Sequence, residues 1–367
     1  MSCDFFNLAN SALQKLQPYQ AGKPTDELER ELGISNIVKL ASNENPLGLS
    51  ASVKSALEKE LSELTRYPDA NGYYLKQALA SKYAVNLNQV TLGNGSNDLL
   101  ELIARAFVNA QHEVIFSQYA FVVYPLVTQA IEAKAVVVPA KDYGHDLDAM
   151  ADAITENTKL IFIANPNNPT GTFLAPAALK AFLSKVPENV LVVLDEAYFE
   201  YADPQLRGNA IAWIDTFPNL IVSRTFSKAY GLAGLRIGYT ISNAQIAELL
   251  NRLRQPFSCN ALALKAATTV LQDEKYLEES IALNNAGMAD LSAFFTANGL
   301  EYIPSMGNFI TVNVQRSGAA VYQELLQEGV IVRPIAGYGL ANHLRISIGT
   351  MAENQRFKQA LLKVLQL

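Results

Sequence analysis

The chain reads as an α/β protein with a mostly parallel sheet flanked by helices, followed by a smaller α+β C-terminal domain. Three observations lead there. Through the middle of the chain, short apolar runs alternate with helical patterns, which indicates parallel strands covered on both faces. Residues with chemistry to offer stand just past the ends of those runs, where ligands bind in open α/β sheets. After Arg252 the pattern shifts to long helical stretches and then to short strands.

The elements follow in order. An N-terminal arm, without a basic cluster, reaches to Ile37. Ser50 to Leu61 has helical spacing. Gln89-Val-Thr-Leu-Gly-Asn-Gly-Ser-Asn-Asp98 reads as a strand, a glycine-rich turn and the start of a helix through Phe107. Val114–Phe116, Ala135–Val138, Lys159–Ala164, Val190–Leu194 and Leu220–Thr225 are short, apolar and rich in β-branched residues, as buried strands are. Helical patterns run from Ala261 to Ala297, strands near Phe309–Val314 and His343–Ile348, and a last helix from about Asn354. The expected division is an arm over 1–37, a large domain over 38–260 and a small domain over 261–367.

Three segments carry the chemistry. The first is Ser223-Arg-Thr-Phe-Ser-Lys-Ala-Tyr-Gly-Leu-Ala-Gly-Leu-Arg236. It sets Lys228 among hydroxyl and small residues, with an arginine eight positions on. A lysine attacks an aldehyde only as the neutral amine, and burial beside another cation lowers its pKa. Thr225, Ser227 and Arg236 offer two hydroxyls and a guanidinium to one phosphate. The other segments are Ile163-Ala-Asn-Pro-Asn-Asn-Pro-Thr-Gly171 and Val190-Leu-Val-Val-Leu-Asp-Glu-Ala-Tyr198. They place Asn168, Asp195 and Tyr198 beyond two further strand ends. Upstream, Gly95, Ser96 and Asn97 lie where backbone N–H groups of a helix start can bind an anion.

This set, in this order, resembles the fold-type I pyridoxal-phosphate aminotransferases, over nearly the whole chain. The resemblance implies roles. Lys228 bonds the aldehyde of pyridoxal 5'-phosphate and later moves a proton between the substrate's α-carbon and C4′ of the cofactor. Asp195 pairs with the pyridine nitrogen, and Tyr198 and Asn168 hold the ring's phenolic oxygen. Gly95, Ser96, Asn97, Thr225, Ser227 and Arg236 hold the phosphate. Tyr119, in Phe116-Ser-Gln-Tyr-Ala-Phe121, takes the place of the aromatic that stacks on the ring, although the family usually has Pro-Ser-Tyr or Pro-Thr-Tyr there. Tyr67, in Arg66-Tyr-Pro-Asp69, is similar to the tyrosine that reaches the partner subunit's phosphate site, which implies a homodimer with shared sites.

Further segments are similar to those of the histidinol-phosphate aminotransferase family. Leu16-Gln-Pro-Tyr-Gln-Ala-Gly-Lys23 resembles its Pro-Tyr-x-Pro-Gly-Lys entry, with Ala21 in place of proline, and Leu40-Ala-Ser-Asn-Glu-Asn-Pro-Leu-Gly48 resembles its Asn-Glu-Asn-Pro segment. Near the C-terminus, Gly329–Pro334 and His343–Gly349 supply Arg333 and Arg345. The resemblance implies that Arg345 takes the carboxylate of glutamate or 2-oxoglutarate, and that Arg345, Arg333 and Tyr19 take the phosphate of histidinol phosphate. Carboxylates and phosphate monoesters both accept forked guanidinium hydrogen bonds, so one pair of arginines can serve both.

Composition narrows the field. A chain of 367 residues, half of them hydrophobic, can bury a core in more than one domain. A net charge of −6 without a basic cluster argues against nucleic-acid binding, so anionic substrates must be met by local arginines. His112, His145 and His343 are scattered, without ligand spacing. They read as surface or helix-end residues, and no metal is expected. No apolar run approaches the roughly 20 residues of a membrane span. Met1-Ser-Cys-Asp-Phe-Phe lacks the pattern of a secretion signal, and Cys3 and Cys259 make no disulfide framework, so the cytoplasm is the expected compartment. Three other readings stay open: an aromatic amino acid aminotransferase, a decarboxylase of a phosphorylated amino acid, and a cofactor-sensing regulator. The regulator would carry a DNA-binding segment ahead of the large domain, where only some 40 residues stand here.

Overall fold

The computed structural model describes residues 3–18 and 22–367. Its strands, in chain order, are β1 (Val38–Lys39), β2 (Val90–Gly93), β3 (Glu113–Ser117), β4 (Lys134–Val138), β5 (Thr158–Ala164), β6 (Leu191–Asp195) and β7 (Leu220–Thr225), then β8 (Gly238–Ile241), β9 (Tyr302–Ile303), β10 (Phe309–Asn313), β11 (Val330–Ile331), β12 (Arg333–Pro334) and β13 (His343–Ser347).

A seven-stranded sheet runs in the order β2-β8-β7-β6-β5-β3-β4. All its pairings are parallel except those of β8 with β2 and β7. The side-chain period of two sorts each strand onto two faces. Ile161 and Ile163 of β5, with Val192 and Leu194 of β6, enter one core. Leu160, Phe162, Val193 and Ile221 enter the other, with Leu99, Leu100 and Ile103 from the helix Ser96–Phe107. Because β5, β6 and β7 are parallel neighbours, their carboxyl ends meet at one edge.

A second sheet, β12-β13-β10-β9, is antiparallel throughout. It packs against the long helix Glu274–Ala297 and the last helix through Leu291, Phe295, Ile310, Leu344, Ile346 and Phe357. The last helix begins at Met351, three residues before the position expected. Thr350 and Glu353 form a capping box there, a start signal already visible in the sequence.

The chain just before the large sheet belongs, by its contacts, to the small one. β1 pairs in parallel with β11, and Ser347 N donates to Leu40 O at 2.9 Å. At the expected boundary near residue 260, the helix Ala261–Val270 packs with the large-sheet core through Ala263, Ala266, Ala267 and Val270. We therefore propose that the division falls within the long helix after Glu274 rather than at 260.

His145 differs from its expected surface position. It is buried, and its Nε2 lies 3.0 Å from the carbonyl of Ala164 at the end of β5. Burial holds its pKa down at about 4, so the ring stays neutral. No helix among the described residues is long and apolar enough to cross a membrane.

Candidate functional site

The carboxyl ends of β5, β6 and β7 open into a cavity of about 180 Å³. Asn168, Asp195, Tyr198, Thr225, Ser227, Lys228 and Arg236 line it, together with Ser96 and Asn97 and, from the small sheet, Arg333 and Arg345. Residues from separate parts of the sequence meet there because parallel strands all end at the same edge.

Lys228 follows β7 and is half-buried, with Nζ donating to Ser42 O at 3.0 Å. Burial, with Arg345 and Arg236 nearby, lowers its pKa to about 8. A sizeable fraction is therefore neutral amine at physiological pH, the form that attacks a carbonyl. Asp195 ends β6 on the face that carries the helix Ser96–Phe107. It accepts from Tyr124 Oη at 2.8 Å and from Ala197 N at 3.2 Å. Burial raises its pKa to about 6, the mark of a carboxylate without a full cationic partner.

Tyr198 is buried and accepts from Asn43 Nδ2 at 2.9 Å and Asn168 Nδ2 at 3.2 Å. Burial pushes its phenol up to about 12, so it keeps its proton. Asn168 also accepts from Arg345 Nη1 at 2.6 Å. Its loop contains two cis bonds, Asn165–Pro166 and Asn168–Pro169, and is tied to β10 by Thr311 Oγ1 donating to Pro169 O at 2.6 Å.

At the other end of the cavity, Arg236 donates to Ser227 Oγ at 3.3 Å, and Ser227 N donates to Thr225 Oγ1 at 3.1 Å. Ser96 and Asn97 open the helix Ser96–Phe107, whose N-terminus favours an anion. Gly95 precedes them at φ 90°, and a Cβ there would overlap the Arg236 guanidinium. Only glycine allows that backbone and that approach. At Gly238 a Cβ would sit 2.7 Å from Ser96 N, so β8 also needs glycine for the helix start to seat against it.

Not every expected residue reaches the cavity. Tyr119 does not line it. The turn after β3 is held by Gln118 N donating to Val138 O and by Asn167 Nδ2 donating to Tyr119 O. Tyr119 stacks on Tyr143, ring centroids 6.0 Å apart, while Phe121 lines the cavity. Tyr67 is 82% exposed, stacks on Phe257 at 4.6 Å and does not line its own chain's cavity. Tyr19 lies outside the described residues.

Other residues were not singled out from the sequence. Ser42, Asn43, Phe121 and Tyr338 line the cavity, and Tyr124 holds Asp195 from the core. Ser42 and Asn43 fall in the Leu40–Gly48 segment and Phe121 beside Tyr119, but those segments named no contact for them. Arg333 of β12 stands directly across from Arg345 of β13. This register puts two guanidinium groups side by side on one wall. Among the described residues no group of three or more His, Cys, Asp or Glu is placed to hold a metal ion.

The donor set fits pyridoxal phosphate. A buried acid of raised pKa can meet a ring nitrogen, an amine of lowered pKa can meet an aldehyde, and the glycine-walled group around Arg236 can meet a phosphate.

Comparison with known proteins agrees. The family model for aminotransferase class I and II matches residues 35–361. The chain is 62% identical to histidinol-phosphate aminotransferase 1 of Idiomarina loihiensis, over 97% of each chain. It is 59% identical to histidinol-phosphate aminotransferase 2 of Pasteurella multocida, over 99% of this chain and 100% of that one. Its fold is similar to the crystal structure of the Sinorhizobium meliloti histidinol-phosphate aminotransferase in complex with pyridoxal-5'-phosphate. That match has a TM-score of 0.90 and 31% identity, over 98% of this chain and 97% of the other. With a family match across most of its length and relatives this close, the chain belongs to the class I and II aminotransferase family.

Proposed function

We propose that this enzyme transfers the amino group between L-histidinol phosphate and 2-oxoglutarate, giving imidazole-acetol phosphate and L-glutamate, with pyridoxal phosphate in the cavity. The observation that carries the reading is the pairing of Lys228 and Asp195 with two neighbouring arginines in one cavity. The names of the relatives at 62% and 59% identity supply the substrate.

Pyridoxal phosphate, when bound, supplies an aldehyde that carries the amino group and a ring that withdraws electrons from the bond being broken. The chain's residues do the rest. Asp195 would hold the proton on the ring nitrogen, with Tyr124 holding Asp195. Tyr198 and Asn168 would hold the phenolic oxygen, with Phe121 against the ring. Ser96, Asn97, Thr225, Ser227 and Arg236 would hold the phosphate. Lys228 Nζ would take the proton from the substrate's α-carbon and deliver it to the cofactor's aldehyde carbon. Its lowered pKa keeps the amine ready for both roles. Arg345 and Arg333 receive a carboxylate from one substrate and a phosphate from the other in turn.

We also infer a homodimer in which Tyr67 reaches the partner's phosphate site. The exposure of Tyr67, stacked on Phe257, leaves its ring available for such a contact. Sedimentation at micromolar concentration should give twice the 40.0 kDa chain mass. A cytoplasmic location belongs to the same proposal, and the free thiols of Cys3 and Cys259 suit a reducing compartment.

The test is a half-reaction. Protein loaded with pyridoxal phosphate should lose the visible band of the lysine-bound cofactor on adding histidinol phosphate, and 2-oxoglutarate should restore it. Response to phenylalanine but not to histidinol phosphate would move the assignment to an aromatic aminotransferase. Lys228→Ala should lack the band and lose more than roughly a hundredfold in turnover.

A further inference from the structure

One polar connection in the site is not used by the scheme above. Asn43 is 1% exposed and has φ 54°, in the left-handed region that Asn tolerates better than most residues. All its polar groups are engaged. Its N–H donates to Ser347 Oγ at 2.8 Å, and its carbonyl accepts from Asn308 Nδ2 at 3.0 Å. Its Oδ1 accepts from Ser347 Oγ at 3.0 Å, and its Nδ2 donates to Tyr198 Oη at 2.9 Å. The Ser347 contact decides which way the amide faces. A hydroxyl donating to Oδ1 leaves the NH₂ end for Tyr198.

Tyr198 Oη accepts from Asn168 Nδ2 as well. A phenol has one proton to donate. With amide donors on its oxygen from two sides, that proton is left for an acceptor in the cavity. Both amides are set from one strand. Arg345 and Ser347 lie two apart on β13, on the same face. Arg345 acts through Asn168 and Ser347 through Asn43, and the two relays converge on one phenol oxygen.

We propose that Asn43 is a positioning residue: it holds the Tyr198 hydroxyl with its proton aimed at the ring oxygen of the bound cofactor, and keeps it there when Arg345 leaves Asn168 to take a substrate anion. The inference rests on the functional reading above. Of the two relays, only Ser347–Asn43 contains no group that a substrate must recruit. The charged and titratable groups around Tyr198 are Arg345, Asp195, Tyr338 and Lys228, whose Nζ lies 5.8 Å from the ring centre. None of them sits on the strap Val38–Asn43, but Glu44, which follows it, acts on Lys228 and is left in place by both variants.

The experiment is an absorption titration against pH of the protein loaded with pyridoxal phosphate, without substrate. A donor to the ring oxygen favours the cofactor form with more negative charge there, so losing it moves the midpoint of the absorption change up. Asn43→Asp keeps the shape and the Ser347 contact but replaces the donor with an acceptor that draws the Tyr198 proton away. Its midpoint should rise by about one pH unit. Ser347→Ala, which leaves the strap's own side chains intact, should raise it in the same direction. In a Tyr198→Phe background, Asn43→Asp should shift the midpoint much less, by only what its added charge contributes through space. An unmoved midpoint in both single variants, or a full shift that persists without the Tyr198 hydroxyl, would overturn the proposal. Absence of any pyridoxal band in the native protein would overturn the functional reading and this inference with it.

Discussion

Tyr124 reaches out of the core of the large sheet to donate a hydrogen bond to Asp195, Oη to Oδ2 at 2.8 Å. Tyr124 is fully buried and stacks face to face on Phe162, ring centroids 4.5 Å apart. The carboxylate proposed to hold the pyridine nitrogen is thus aimed by a side chain that cannot easily move. Removing a hydrogen bond to a charged group costs about 1.5–3 kcal/mol. Tyr124→Phe should therefore weaken cofactor retention roughly 10- to 100-fold, measured by equilibrium dialysis. Asp195→Asn should do more damage to turnover than to retention, because a neutral amide cannot hold the ring proton. Wild-type turnover in Asp195→Asn would show the ring-nitrogen assignment to be wrong.

The lowered pKa of Lys228 predicts how the protein takes up its cofactor. Only neutral amine attacks the aldehyde, and the amine titrates near 8. The rate of capture by cofactor-free protein should rise about tenfold per pH unit from about pH 6 and level off above about pH 8. Arg345 is the nearby cation that lowers the pKa most. Arg345→Leu should accordingly carry the onset of the plateau to higher pH. Stopped-flow absorption at a series of pH values would check both, and a flat profile would contradict them.

Arg333 and Arg345 face one another across β12 and β13, yet they differ in their surroundings. Arg345 is buried and bonded to Asn168 and to the Ala41 carbonyl at 2.8 Å, whereas Arg333 is half-buried. Arg333→Leu should raise KM for histidinol phosphate by roughly 10- to 100-fold, the scale of one charge-assisted contact, and change KM for glutamate much less. Equal effects on both substrates would remove Arg333 from phosphate recognition.

Behind the site, Glu196 and Arg224 form an ion pair at 2.7 Å, both less than 10% exposed. They follow Asp195 and precede Thr225, on the opposite face of the sheet, and so join the ends of β6 and β7. The guanidinium also lies 3.5 Å from the centre of the Phe199 ring. Removing one member of a buried pair strands the other, at about 3–5 kcal/mol. Glu196→Leu should lose that much in denaturant unfolding of the cofactor-free protein. Glu200, buried nearby, should keep the loss toward the lower figure.

Local pattern determined much of this protein. Run lengths and β-branched content place β5, β6 and β7, and a parallel sheet requires their ends to share an edge. Asn168, Asp195 and Lys228 could therefore be assigned to one place from sequence alone. The glycine turn before Ser96 was legible for a similar reason, since a tight approach admits no other residue.

Tertiary structure decided what depends on partners distant in the chain. Tyr124 meets Asp195 across 71 positions, and Asn43 meets Tyr198 across 155 and Ser347 across 304. No periodicity encodes such meetings. The sequence pointed to Tyr119 for the ring-facing aromatic, but in a turn held by Val138 and Asn167 it is Phe121, two residues on, that lines the cavity. His145 reads as a surface residue in sequence, yet it is buried with its ring Nε2 on a carbonyl at the end of β5. Hydrophobic pattern and turn chemistry act over a few residues. The orientation of a buried polar group is set by whichever donor or acceptor the fold brings beside it, and that is known only when the chain is folded.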